Sequence, residues 1–190
     1  MVSEKATLRT SLLARRAARS PADRDTAARA LAAALADRVA GAGVVAAYVP
    51  TAEEPGHGHL VEALAARVQL LLLPVVPARG RELSWAEHDG RFAPGRFGLL
   101  EPTAPPQPAA ALGRADVVVV PALAVGRDGT RLGRGGGYYD RALAWARADA
   151  VLVGVVFDGE LLDAVPAGEH DRRLPAVVTP SAGWQELDPA

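Results

Sequence analysis

The chain has 190 residues, of which 49% are hydrophobic and 23% charged, and its formal net charge is -1. This composition suits a folded domain with a full core and excludes an intrinsically disordered chain. The balanced charge argues against binding of nucleic acid or an anionic membrane by bulk attraction, so we expect small-molecule partners. Because the chain has no cysteine, disulfides, thiolate metal sites and cysteine nucleophiles are excluded as well.

Two helices are predicted at the start of the chain. Leucines recur at helical spacing at Leu8, Leu12 and Leu13 and again at Leu31 and Leu35. Between them, "SPADRD" supplies a cap and a proline for the start of the second helix. The first segment lacks an apolar stretch of signal-peptide length, so we expect a cytoplasmic protein.

Strands and helices then alternate. "GVVAAYVP" predicts a first buried strand, "HGHLVEALAARV" a helix, "QLLLLPVV" a second buried strand, and "RELSWAEHDG" an edge strand or hairpin. The proline-rich "EPTAPPQP" is predicted to be a surface loop within the domain and not a domain boundary.

The second half of the chain continues the pattern. "DVVVVPALAV" predicts a strand, "GGGYYDRALAWARA" a helix entered through glycines, "AVLVGVVF" a buried strand and "PAVVTP" a last short one. We therefore predict a single α/β domain over residues 1–190, with a mostly parallel sheet flanked by helices on both faces in a Rossmann-like layered sandwich. None of the apolar runs is long enough to span a bilayer, so no membrane association is expected.

A glycine-rich segment, "GRDGTRLGRGGGYYDRAL", lies where such sheets bind ligands, beyond the carboxyl end of a strand. Glycine backbone that can present successive N–H groups, followed by a helix start, is typical of a phosphate cradle, and Arg131 and Arg134 add full charges. The alternative is a sharp turn with solvated arginines. Because the arginines alternate with the glycines, we favour anion binding.

A second basic element is the pair Lys5 and Arg9, which lie four residues apart on one helix face. Like charges at this spacing repel unless an anion lies between them. A solvated basic face is the alternative, and it is our interpretation of Arg15, Arg16 and Arg19. Since the chain uses one lysine beside twenty arginines, the retained lysine favours a contact with phosphate.

Two aspartates stand in charged segments. Asp140 falls in the first helical turn after the glycines, where a carboxylate can simply complement the helix dipole or can bind Mg²⁺ beside phosphates. Asp171, in the charged segment "GEHDRR", can simply be solvated. The four histidines show no ligand spacing that predicts a transition-metal site.

Aromatic residues are concentrated near the same segments. The three tyrosines, Tyr48, Tyr138 and Tyr139, all fall in candidate site regions, and one of the two adjacent tyrosines is expected to point into the core. Trp85 in "LSWAEH" can be a pocket wall or ordinary core, and we favour core.

"RLGRGGGYYDRAL", preceded by "VVVVPALAVGRDG", closely resembles the hallmark of the 5-formyltetrahydrofolate cyclo-ligase family. Further similar pieces follow the family order over nearly the whole chain: "KATLR", "YVPTAEEPG", "LPVV", "LSW", "GRFGLLEP" and "AGEHDRRLPAVVT". The resemblance implies a ligase that uses ATP and Mg²⁺ to convert 5-formyltetrahydrofolate to 5,10-methenyltetrahydrofolate, with release of ADP and phosphate.

The resemblance also implies roles for individual residues, with Arg134 and Tyr138 as catalytic residues and Asp140 and Asp171 as metal ligands. The implied ATP-binding residues are Lys5, Arg9, Arg131, Leu132, Gly133, Arg134, Gly135, Gly136, Gly137, Tyr138 and Tyr139. The implied folate-binding residues are Arg9, Glu54, Arg134, Gly135, Gly136, Gly137 and Tyr138. The choice between Glu53 and Glu54 stays open, and Glu160, where many members carry glutamine, receives no role.

Two other functions would use the same glycine segment. A regulatory module that binds a nucleotide without turnover would not need the acidic residues, and a sugar-phosphate isomerase or acyl-transfer protein would not need ATP. The acidic residues and the basic N-terminal motif together favour the ligase, which we expect to act as a monomer.

Overall fold

The structure, a computed structural model, describes residues 3–166 and 172–188. Its α-helices in this part of the chain are α1 (Glu4–Ala17), α2 (Pro21–Arg38), α3 (Leu60–Ala65) and α4 (Tyr138–Ala142), and short 3-10 helices cover Arg96–Gly98, Ala109–Arg114, Leu143–Trp145 and Asp158–Glu160. The two predicted N-terminal helices are confirmed. The Ser3 and Ser20 hydroxyls accept backbone hydrogen bonds from Ala6 and Asp23, and Pro21 opens α2.

The strands in these residues are β1 (Val44–Ala46), β2 (Leu70–Val75), β3 (Ser84–Glu87), β4 (Phe92–Pro94), β5 (Leu100–Pro102), β6 (Val117–Pro121), β7 (Ala124–Gly126), β8 (Arg131–Leu132), β9 (Val151–Val155), β10 (Leu161–Leu162), β11 (Ala176–Thr179) and β12 (Gly183–Glu186). Seven of them form the main sheet in the order β12-β11-β9-β6-β1-β2-β3. Its five inner strands are parallel and its two edge strands are antiparallel. The predicted mostly parallel α/β sheet is therefore confirmed.

The order of the strands creates a switch point between β1 and β6. The chain proceeds from β1 to β2 and β3 on one side, and then places β6 on the other side of β1. In open α/β sheets, ligands bind in the crevice that such a reversal leaves at the carboxyl ends of the strands.

Both faces of the main sheet are covered, as predicted. In β6, Val119 packs with α2 and α3 on one face, whereas Val118 and Val120 pack on the other with Leu112 and Leu143. This alternation is the period of two that a strand imposes on its side chains. No helix in the described residues is long and apolar enough to cross a membrane.

The run "DVVVVPALAV" forms two strands and not the single predicted one. The chain leaves the main sheet after β6 and enters a small sheet of order β10-β7-β8. Both halves of the run are apolar because both strands are buried, so the sequence alone shows no break. The glycines at positions 133 and 135–137 therefore follow β8 and not the strand in the main sheet.

The helix after the glycines is shorter than predicted. After the five residues of α4, the chain continues as the 3-10 helix Leu143–Trp145. The Arg172 guanidinium donates hydrogen bonds to the carbonyls of Leu143, Ala146 and Arg147. A side chain that satisfies terminal carbonyls in this way allows a helix to end early.

Helix α1 packs on the small sheet through a separate apolar cluster that includes Leu12, Leu123 and Leu132. The prediction that Arg16 belongs to a solvated face is wrong, because its side chain is buried and paired with Glu160, whereas Arg15 is exposed. The sequence pattern missed the pairing because the two residues are 144 positions apart.

Candidate active site

A cavity of about 430 Å³ opens at the switch point, beyond the carboxyl ends of β1, β2 and β6. This volume is within the range of small-molecule sites. Its wall is formed by Tyr48, Val49, Thr51, Glu54, Pro74, Val76, Leu83, Phe97, Leu99, Leu100, Glu101, Pro121, Ala122, Arg131, Gly133, Arg134, Gly135, Gly136, Gly137, Tyr138, Tyr139 and Asp140. Most of the candidate residues of the glycine segment therefore lie in one wall of this cavity.

Two glycines of that wall have backbone that other residues rarely adopt. Gly137 is the N-cap of α4 with φ 70°, and Gly135 has φ 93°. The sharp-turn explanation therefore accounts for part of the glycine content. No side chain caps the first turn of α4, and the helix is short, so positive charge at this wall comes mainly from the arginines.

Arg9 connects α1 with the glycine segment. Its Nε donates a 2.9 Å hydrogen bond to the Gly133 carbonyl, 124 residues further along the chain. Lys5 lies one turn earlier on α1 and is half-buried. Neither residue is part of the described cavity wall, but Arg9 lies directly behind it.

Arg131 bridges the end of β6 and α4. The guanidinium is nearly buried and donates to the Pro121 carbonyl at 3.3 Å and to the Asp140 carboxylate. Asp140 is about half exposed and reaches the cavity wall. Within residues 3–166 and 172–188, no cluster of three or more acidic or histidine side chains could hold a metal. The other metal candidate, Asp171, lies outside the described residues.

Arg134 and Glu54 meet across the mouth of the cavity, with Arg134 Nε 3.1 Å from Glu54 Oε1. Glu54 comes from the loop after β1, and its Oε2 accepts a hydrogen bond from the Thr51 backbone N–H at 2.9 Å. Glu53 is absent from the described cavity wall. The geometry therefore favours Glu54 over Glu53 as the acidic residue of the site.

The two adjacent tyrosines are both half-buried, and both line the cavity and pack against the core. The Tyr139 hydroxyl is buried and has no hydrogen-bond partner among the described residues. The Tyr139 ring is nearly perpendicular to the ring of the buried Trp85, with 6.5 Å between the ring centroids. Burial, and then the Glu54 carboxylate, raise the pKa of Tyr139, so the hydroxyl remains a neutral donor. Trp85 is core, as predicted. The Tyr48 hydroxyl donates to the Pro55 carbonyl at 2.8 Å.

The sequence analysis missed the apolar wall opposite the glycines. The hairpin of β4 and β5 contributes Phe97, Leu99 and Leu100, and Leu83 lies before β3. Phe97 is 72% exposed and has φ 57°. The available signal was "GRFGLLEP", in which large apolar residues follow a glycine without strand or helix periodicity. The cavity thus joins a cationic wall to an apolar one.

Comparison with known proteins identifies the family of the chain. The model of the 5-formyltetrahydrofolate cyclo-ligase family matches residues 1–180. A 5-formyltetrahydrofolate cyclo-ligase from Mycolicibacterium smegmatis is 42% identical over 184 residues, which cover 94% of this chain and 95% of the relative.

Two solved structures have a similar fold. The 5,10-methenyltetrahydrofolate synthetase from Aquifex aeolicus has a TM-score of 0.76 at 25% identity, over 97% of this chain and 93% of that one. The enzyme of the same name from Mycoplasma pneumoniae has a TM-score of 0.72 at 20% identity, over 92% and 98% of the two chains. The chain belongs to the 5-formyltetrahydrofolate cyclo-ligase family.

Proposed function

We propose that the protein converts 5-formyltetrahydrofolate to 5,10-methenyltetrahydrofolate with consumption of ATP and release of ADP and phosphate. The observation that carries this proposal is the cavity itself. Its glycine and arginine wall has the chemistry to bind phosphates, and the facing wall of Phe97, Leu99 and Leu100 suits the rings of a folate. Membership of the family makes ATP and 5-formyltetrahydrofolate the substrates.

The chemistry requires activation of an amide-like formyl group. Its carbon is a poor electrophile and its oxygen a poor leaving group. In the proposed reaction the formyl oxygen attacks the γ-phosphorus of ATP, and the bond to ADP breaks. N10 then attacks the activated carbon and loses its proton to solvent, and the C–O bond breaks with release of phosphate. The protein must therefore align two substrates and neutralise the charge on the moving phosphoryl group.

We propose for the individual residues the roles that the family resemblance implies. Arg134 and Tyr138 act at the reacting groups, since both line the cavity at the glycine wall. Lys5 and Arg9 bind ATP from α1, together with residues 131–139. Glu54, at the opposite side of the mouth, binds the folate, together with Arg9 and residues 134–138.

We further propose that ATP enters with Mg²⁺. The residues present fit this ion, because Asp140 is a half-exposed carboxylate in the cavity wall beside the arginines, and Mg²⁺ takes one or two carboxylates together with phosphate oxygens and waters. Asp140 would hold the ion, with Asp171 as the second candidate. When bound, Mg²⁺ supplies positive charge at the phosphates.

We also propose an oligomeric state, a cellular location and a set of partners for the protein. The active unit is a cytoplasmic monomer made of one domain over residues 1–190, with ATP and the folate as its partners and no nucleic acid or membrane. Size-exclusion chromatography with light scattering would test the monomer.

The function is tested with purified protein, ATP, Mg²⁺ and 5-formyltetrahydrofolate that carries oxygen-18 in its formyl group. We expect phosphate and the methenyl product, which is followed by its near-ultraviolet absorbance, to form in equal amounts. The oxygen-18 label should appear in the phosphate. Label in water, or product formed at full rate without ATP, would refute the phosphorylated intermediate. ATP binding without turnover would favour the regulatory module instead.

A further inference from the structure

The protein contains a buried ion pair that the proposed chemistry does not use. Arg16 and Glu160 are 1% and 3% exposed. Arg16 donates from Nε to Glu160 Oε1 and from its second terminal nitrogen to Oε2, each at 2.8 Å. Glu160 Oε2 also accepts the Phe157 backbone N–H at 2.9 Å. Because desolvation offsets the attraction of such a pair, stability alone gives little reason for it to be charged.

One contact of this pair leads directly to the cavity. The same Arg16 nitrogen donates a 2.7 Å hydrogen bond to the Ala122 carbonyl. Ala122 follows β6 at the switch point and is part of the cavity wall. The preceding carbonyl, that of Pro121, accepts from Arg131. Two consecutive carbonyls at the end of β6 are thus each held by an arginine that is paired with a carboxylate.

The pair also fixes α1. Lys5, Arg9, Leu12 and Arg16 follow the 4-3-4 spacing of one helix face. At 1.5 Å per residue, Arg16 lies about 10 Å from Arg9 along the helix axis. The apolar contacts of α1 with the small sheet are non-directional, whereas two parallel hydrogen bonds to a buried carboxylate favour a particular rotation and height of the helix.

We infer that Arg16 and Glu160 are positioning residues of the active site: together they set the register of α1, which carries Lys5 and Arg9, against the β6 end of the cavity wall. Neither residue is part of the described cavity wall. The inference rests on the proposed function for its link to ATP, and its structural part, the register of α1, stands without that function.

The test replaces the pair with apolar residues in the double variant Arg16→Met/Glu160→Leu. Exchange of a buried pair for apolar groups is often neutral for stability, whereas a single replacement leaves an unpaired buried charge. Arg15→Met is the matched control, because it removes an exposed arginine from the neighbouring position of the same helix.

We expect the double variant to fold but to melt below the wild-type temperature, because the Ala122 carbonyl and the Phe157 N–H lose these partners. It should bind ADP about tenfold more weakly or worse, since a displacement of about 1 Å can cost about 100-fold in an aligned site. The KM for ATP should rise more than the KM for 5-formyltetrahydrofolate, because α1 carries two residues for ATP, Lys5 and Arg9, but only Arg9 for the folate. Amide hydrogens of α1 should exchange faster and those of α2 should not. Arg15→Met should match the wild type in all of these measurements.

A folded double variant with wild-type ADP affinity and wild-type exchange in α1 would overturn the inference. If the double variant does not fold, Glu160→Gln takes its place, since the amide still accepts from Phe157 but no longer presents two charged oxygens to Arg16. Wild-type ADP affinity in Glu160→Gln would also overturn the inference. Failure of the proposed function would instead appear as absence of turnover in the wild type, and the exchange of α1 would still test the register.

Discussion

Arg134 and Glu54 form an ion pair across the mouth of the cavity, with 3.1 Å between Arg134 Nε and Glu54 Oε1. The arginine comes from the glycine wall, and the carboxylate comes from the loop after β1. Arg134 is 47% and Glu54 12% exposed, so the glutamate is the better fixed of the two. In our proposal Glu54 binds the folate, whereas Arg134 contacts both ATP and the folate. We therefore expect binding of one substrate to affect binding of the other through this pair.

Glu54→Gln should affect the KM for one substrate and not the KM for the other. We expect the KM for 5-formyltetrahydrofolate to rise by roughly 10–100-fold, as for loss of a charge-assisted hydrogen bond. The KM for ATP should not rise, because Arg134 loses a competing partner. Steady-state kinetics with each substrate varied in turn would measure both effects. Glu53→Gln is the control, and equal effects of the two replacements would contradict the choice of Glu54.

Tyr139→Phe should weaken function without a loss of stability. The hydroxyl is buried and without a partner among the described residues, so its removal should leave the free energy of unfolding unchanged or raise it by about 1 kcal/mol. If the hydroxyl donates to ATP, kcat/KM for ATP should fall roughly 2–10-fold.

The matched comparison is Tyr48→Phe, which removes the hydrogen bond to the Pro55 carbonyl and should destabilise the fold by about 1–3 kcal/mol. Denaturant unfolding of both variants would measure the difference. A destabilised Tyr139→Phe variant with unchanged kinetics would show that the hydroxyl serves only the core.

Asp140→Asn should lower turnover and shift the magnesium dependence to higher concentration, with partial recovery at high magnesium. The physical reason is that an amide keeps one oxygen ligand but loses the charge that attracts the ion. Magnesium titration of activity after treatment with a chelator would measure the shift. A wild-type titration curve would remove Asp140 from the metal site and leave it as the partner of Arg131.

Protonation of Asp116 should account for part of the stability that the fold loses at acidic pH. Hydrogen bonds from the Val44 backbone N–H at 2.8 Å and from Arg147 at 2.9 Å lower the pKa of Asp116, against the opposing effect of burial. A lowered pKa means that the charged form stabilises the fold above the unfolded-state value near ~3.9, and that this contribution is lost as the pH falls below it.

Asp116→Asn should therefore melt at a lower temperature than the wild type at neutral pH, and the difference should shrink below about pH 4. Thermal unfolding across this range would test the expectation. Asp149→Asn, which removes a more exposed partner of the same Arg147, is the control. A difference that is constant with pH would mean that the Asp116 charge is not the cause.

The inner strands of the main sheet could be predicted because each is a short apolar run, and a sheet covered on both faces requires such runs. The same uniformity concealed the bend between β6 and β7, since burial on both sides of Ala122 leaves no polar residue to mark it. The edge strand β12 is only half-buried and shows no comparable signal.

The cationic wall of the site could be predicted because its glycines and arginines are contiguous in sequence. The burial and pairing of Arg16 could not be predicted, although this residue follows Leu12 at helical spacing and so lies on the buried face of α1. A charged residue on that face is intelligible only with its partner, and the residues between Arg16 and Glu160 carry no sign of the pairing. Phe97 likewise acquires a role only when the hairpin brings it opposite the glycines.

The long-range contacts of α1 impose an order on biosynthesis. The helix leaves the ribosome before its partners, because the acceptors for Arg9 and Arg16 lie 124 and 144 residues later. At about 5–20 residues per second, α1 waits roughly 7–30 s for Glu160 to be made. Until Leu123 and Leu132 are also made, its apolar face lacks these native partners, so we expect the nascent chain to offer chaperones a binding segment that the finished protein conceals.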